Sequence, residues 1–454
     1  EPLDYWRDSI DSRLRERLQE AGRYFDNQKH SPYNMAQIVY GHALGLDSGK
    51  DNLAGIPFSA KECVFSSQLQ LLAYRMVGIP AAIDHVPYWA DMNGFHQWTV
   101  VMDTQNKDIL AGQIEMKNAP KVYRRTYSTN PIPVPEKDEY IPPFFTNPFN
   151  RDVTDKYLHT SDVTVSATVP LQARHAYLAI FNVRELRVVD WSDVQQDKAR
   201  FHAMGPNIVY FPVYFEKEYQ RNFAYPFILR ANGTTVTLRP DTTRRQTLTL
   251  TRKYPLHHNK VYHGNALVGA RFQASNDPTF RNPVTIHSVT HNPNMQPEIV
   301  PVDTTQKYRY WRFNHTKIVE LAEWRFKDKR GLNLTGKSID PEGRGARLAN
   351  IFDNDPLSHG RISHQLVVDF DHPVSVSEII YLPRNDANGV YPGNEYELLY
   401  FDLGGWQSLG CKIATGYSVE FENVPSNAVY WLRNHTAGKE ERVFTIQNGE
   451  QRFW

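Results

Sequence analysis

A chain of 454 residues has room for about three or four domains, and 41% hydrophobic with 13% aromatic residues supplies each with a core. Fifty-one basic against 50 acidic residues leave a formal charge of +1, which excludes a global field for nucleic acid or an anionic membrane. No run reaches the ~20 apolar residues that span a bilayer, and two cysteines, Cys63 and Cys411, exclude a disulfide framework.

Trp6, Ile10, Leu14 and Leu18 predict an opening amphipathic helix, and a second is expected over 35–44. A third helix is predicted from about Lys61 to Val77. Its apolar residues Phe65, Leu69, Leu72 and Met76 keep helical spacing, Ser59 and Glu62 form a capping box, and Gly78 with Pro80 ends it. Cys63 falls in the first turn, away from that apolar stripe and beside Ser67, Gln70 and Tyr74. A thiol there feels the positive end of the helix dipole, which favours the nucleophilic thiolate.

An aromatic loop, 88–95, precedes a strand-like alternation from His96 to Asp103 and a second extended run, 108–115. If the hairpin turns over 104–107, position 103 pairs with 108 and His96 faces Glu115. Opposed side chains on one face have Cβ atoms about 4.5–5.5 Å apart, so a carboxylate there could orient the imidazole. Gln113 is the alternative third member, reached by a two-residue change of register, while Asp103 points to the other face. Tyr88, Trp89, Phe95 and Trp98 are the candidate lining of a substrate cleft.

The order Cys63, His96, acid, with Gly78-Ile79-Pro80-Ala81 between the first two and Trp98 two after the histidine, resembles the transglutaminase-like superfamily. The resemblance covers about residues 1–128 and implies a papain-like α+β domain with Cys63 as nucleophile and His96 as base. The family's usual aspartate falls near Gly112 here.

Six prolines between Pro131 and Pro148 predict a linker over 129–160. Short extended runs with turns over 161–254 predict a β-sandwich, in which Trp191, Tyr210 and Tyr214 are either core aromatics or a stacking surface. Tyr310-Trp311-Arg312-Phe313-Asn314-His315-Thr316 recurs 120 positions later as Tyr430-Trp431-Leu432-Arg433-Asn434-His435-Thr436, which predicts tandem modules over 255–337 and 338–454. The second resembles a discoidin-type (F5/8 type C, galactose-binding-like) sandwich. That likeness implies a glycan ligand and, at Asp353 and Asp355, a calcium loop, against which stands plain turn chemistry. His315 and His435 read as packing residues, and no zinc-type spacing of Cys and His occurs.

The expected protein is therefore multidomain, an α+β papain-like domain followed by all-β sandwiches. It is secreted, periplasmic or at the cell surface, with its signal peptide not present in this chain. Its expected activity is that of a cysteine-dependent amidase, peptidase or acyltransferase without cofactor, acting on a protein, peptide or glycoprotein. The alternatives are a catalytically degenerate glycan- or protein-binding protein and a peptide N-glycanase-like amidase.

Overall fold

The computed structural model describes residues 63–76, 80–102, 108–110, 116, 118–136, 139–167, 169–170, 173–256, 258–438 and 440–454. Among these, strand accounts for 49% and helix for 7%, distributed over several sheets. This corrects the expected fold class, because no α+β papain-like domain is evident in the described region. The two leading helices that would complete such a layer, over 6–18 and 35–44, lie outside the described residues. Two compact units are present. One comprises the described residues up to Arg239 with Phe401–Trp406 and Trp454, the other those of Pro240–Tyr400 with Gln407–Phe453.

In the first unit, helix α1 (Cys63–Met76) lies against a five-stranded antiparallel sheet. The strands are β1 (Ala81–Val86), β2 (His96–Met102), β3 (Asp108–Leu110), β4 (Tyr123–Arg125) and β5 (Asn150–Asp152), in the order β3-β2-β1-β4-β5. The hairpin forms, but Met102 rather than Asp103 pairs with Asp108, one residue away from the expected register. A one-residue slip exchanges the two faces of a strand. Described pairing stops at Leu110, and Gln113 and Glu115 lie outside the described residues.

The proline-dense stretch is woven into this unit. Asn150–Asp152 pairs with β4, short 3-10 turns form at Pro143–Thr146 and Thr154–Lys156, and Phe145 and Val153 are buried. Proline at the start of the first turn suits its fixed φ.

Strands β6 (Ser161–Ser166), β7 (His175–Asn182), β8 (Glu185–Gln195), β9 (Lys198–Met204), β10 (Ile208–Glu216), β11 (Tyr219–Asn222), β12 (Phe227–Leu229) and β13 (Thr235–Thr237) form one antiparallel sheet. Its order is β13-β12-β10-β7-β8-β9-β6, with β11 on β10. Leu178, Ile180, Phe201, Ile208 and Tyr210 are part of its core.

The second unit holds two modules. In the first, two five-stranded sheets share one core to which Phe272, Trp311, Phe313, Trp324, Phe326, Leu366 and Tyr381 contribute. It runs from α2 (His258–Leu267) to Glu378–Pro383, past the expected boundary at 337. The second has its own core, including Leu248, Tyr396, Leu398, Phe421, Tyr430 and Phe444. The repeated phrase lies on Tyr308–Asn314 in one module and Tyr430–Asn434 in the other, with Trp311 and Trp431 buried in both.

Candidate functional site

Helix α1 meets the sheet through the side that carries Ser67 and Tyr74. Gln97 Nε2 donates to Ser67 Oγ at 2.6 Å and to Val64 O at 3.3 Å, Thr99 Oγ1 donates to Ser67 O at 2.8 Å, and Tyr74 is buried with Ala81 and Val101. Small Ser67 lets the helix approach and satisfies the amide that it buries. Cys63 is half-buried in the helix's first described turn.

Because successive strand residues point to opposite faces, contact of α1 with Gln97 and Thr99 directs His96 and Trp98 to the other side of the sheet. His96 stacks there on Trp89 at 6.4 Å and on Trp98 at 5.8 Å, and burial holds its pKa below the ordinary value. Among the described residues no hydrogen bond links Cys63 to His96. The carboxylate that the sheet sets opposite Trp98 is Asp84, which the sequence reading missed. It is fully buried and committed elsewhere, since Arg124 donates to it from Nε and Nη2 at 2.7 and 2.8 Å and Tyr157 from its hydroxyl at 2.6 Å.

On the α1 face the imidazole is His85, opposite Gln97. Burial, and then the Arg125 charge, push its pKa down to about 4, so the ring is neutral at physiological pH.

The aromatic loop is packed. Trp89 and Trp98 are buried, Tyr88 lies under the Arg187 guanidinium, and Phe95 is the exposed member at 53%. Asn182 holds the loop, donating from Nδ2 to the carbonyls of Trp89 and Met92 and accepting from Gly94 N. Gly94 supplies the positive φ, +93°, that this turn requires.

A concave site lies elsewhere in this unit, where β8 and β9 face residues 121 and 152. A cleft of about 460 Å³ is lined by Lys121, Asp152, Asp190, Trp191, Asp193, Gln195, Lys198 and His202, among others. A second concavity, about 320 Å³ and lined by Asn130, Phe144, Asn150 and Arg151 among others, shares Asp152, Asp190 and Trp191 as its wall. Strand alternation builds the first: Ala199 and Phe201 enter the core, which turns Lys198, Arg200 and His202 toward the opening.

Lys121, 1% exposed, forms the floor. Its ammonium ion-pairs with Asp152 and, at 3.2 Å, with Asp190, and donates to His202 O at 2.6 Å. Burial works against its charge but the two carboxylates outweigh it, so Lys121 titrates above its ordinary range. One ammonium cannot offset two carboxylates. Burial, only partly countered by Lys121 and reinforced by Asp152, lifts Asp190 to about 6.

Trp191 is held from behind by His175, edge-on at 5.7 Å, whose nitrogens lie 3.0 Å from Glu139 and 3.3 Å from Asp193. Of the three aromatics considered for stacking, Trp191 is half-buried at the cleft while Tyr210 is fully buried, its hydroxyl donating to Gly205 O.

In the second unit, Asp353 and Asp355 close their own turn. Asp353 accepts from Asp355 N at 2.9 Å and Ser358 Oγ at 2.8 Å, and Asp355 accepts from Leu357 N at 2.9 Å. His315 is buried with Nε2 2.9 Å from Ala266 O, a packing role as expected. No protein family and no curated protein matches the chain.

Proposed function

We propose that the protein is a carbohydrate-binding protein of the cell exterior, that its ligand lies in the cleft against Trp191, and that Cys63 and His96 serve packing. The observation that carries this reading is Trp191, which lines two concavities together with carboxylates, an ammonium and an amide. A sugar presents an apolar C–H face and a rim of hydroxyls, which suits one aromatic surface ringed by fixed donors and acceptors. Placement on paired strands, braced by the Lys121 ion pairs and by the hydrogen bonds between His175 and Glu139, keeps those groups in position without the ligand. A thiol amidase would need its base on the α1 side of β2, and His96 is not offered there.

The test is a glycan array probed with the full chain, followed by calorimetric titration of the strongest saccharide. Trp191→Ala is expected to weaken binding at least tenfold while the thermal unfolding midpoint stays unchanged. Absence of any saccharide binding at millimolar concentration, or binding indifferent to Trp191→Ala, would overturn the assignment.

A further inference from the structure

The two copies of the repeated phrase carry histidines at their next-to-last position that have parted company. His315 is buried against a backbone carbonyl, whereas His435 is exposed on its sheet beside Glu397 and Cys411. These side chains come from three neighbouring stretches: Glu397 from the central strand Glu395–Asp402, Cys411 from Gly405–Ile413 on one flank, and His435 from just past Tyr430–Asn434 on the other. His435 N donates to Glu395 O at 2.9 Å, which fixes where the ring leaves the sheet.

We propose that Glu397, Cys411 and His435 form a binding site for a borderline divalent cation of the zinc class. One thiolate sulfur, one imidazole nitrogen and one carboxylate oxygen are a donor set that suits such an ion. Here the three donor atoms all lie within 4.8 Å of one another. His435 Nε2 and Glu397 Oε2 are 2.9 Å apart. Two ligands on one tetrahedral ion, each at about 2.0–2.1 Å, stand roughly 3.3 Å apart, so the pair needs little adjustment.

Ser408 Oγ donates to the other carboxylate oxygen at 2.7 Å and orients it, in the way that outer hydrogen bonds orient metal ligands. The cation displaces the thiol proton of Cys411, which passes to solvent as the sulfur–metal bond forms and the sulfur–hydrogen bond breaks. His435 binds through Nε2 as the neutral tautomer that keeps its proton on Nδ1, and no redox change occurs. Arg433, whose Nη1 is 3.5 Å from Glu397 Oε2, is the resident competitor, which sets affinity below that of an enclosed four-ligand site. Three protein ligands leave a fourth position for water or a ligand oxygen.

Cobalt(II) is the probe, added to the full chain after chelator treatment and read by the near-ultraviolet thiolate-to-cobalt charge-transfer band. One equivalent is expected to bind, with zinc displacing it. The band is expected to vanish in Cys411→Ser, to need at least tenfold more cobalt in His435→Ala and in Glu397→Gln, and to be unchanged in Cys63→Ser. No band at micromolar cobalt, a band that survives Cys411→Ser, or wild-type affinity in both His435→Ala and Glu397→Gln would overturn the proposal.

Discussion

Glu323 sits at 1% exposure in the core strand Val319–Lys327, and among the described residues neither carboxylate oxygen has a hydrogen-bond partner. Its nearest charge is Arg325 Nε at 3.5 Å, while the other end of that guanidinium donates to Tyr417. Burial lifts the Glu323 pKa from 4.5 to about 7. Arg325 opposes the rise, and Asp353 and Asp355 add to it. A carboxyl whose folded pKa is raised holds its proton more tightly when folded. Its contribution is therefore intact below pH 4.5, falls as pH climbs to about 7, and is lost above that. The span from 4.5 to about 7 corresponds to roughly 3 kcal/mol.

Glu323→Gln keeps the shape and removes the titration. In urea unfolding followed by tryptophan fluorescence, with buried Trp324 adjacent, wild type is expected to lose stability relative to Glu323→Gln between pH 4.5 and 8. The gap should open by about 3 kcal/mol. A difference between the two proteins that does not vary with pH would refute the reasoning. Calcium is a control: if Asp353 and Asp355 serve only their turn, adding it at pH 8 leaves the gap unchanged.

Two further outcomes follow from the first unit. A Cβ on Gly205 would stand 2.0 Å from the Ala119 carbonyl oxygen, beside the Gly205 N to Pro120 O hydrogen bond that anchors the Lys121 segment. Gly205→Ala is therefore expected to cost about 1–3 kcal/mol in urea unfolding, and wild-type stability would contradict this packing. In a Cys411→Ser background, His96→Ala is expected to leave the pH profile of Cys63 alkylation unchanged, because His96 lies across the sheet from α1. A profile displaced upward by that substitution would restore a thiol–imidazole pair.

Periodicity in the sequence was enough to find α1 and the hairpin strand β2, because helix and strand spacing are local properties that one chain writes down. The repeated phrase located two strands with a buried tryptophan at the same place in each. Composition excluded a disulfide framework directly.

Partner choice was not local. Which face of β2 received α1 depended on Ser67 being small enough, and polar enough, to take Gln97 and Thr99, and that choice moved His96 to the opposite side. Pairing Met102 instead of Asp103 with Asp108 broke the arithmetic that set Glu115 across from the histidine. The cleft was equally hidden, since Lys121, Asp152 and Asp190 belong to three separate stretches that only pairing of β4 with β5, and packing beside β8, brings together. The sequence by itself determined the elements and their periods. Tertiary structure alone decided which side of each element meets which neighbour, because a strand offers two nearly equivalent faces and the energy that selects one comes from residues distant along the chain.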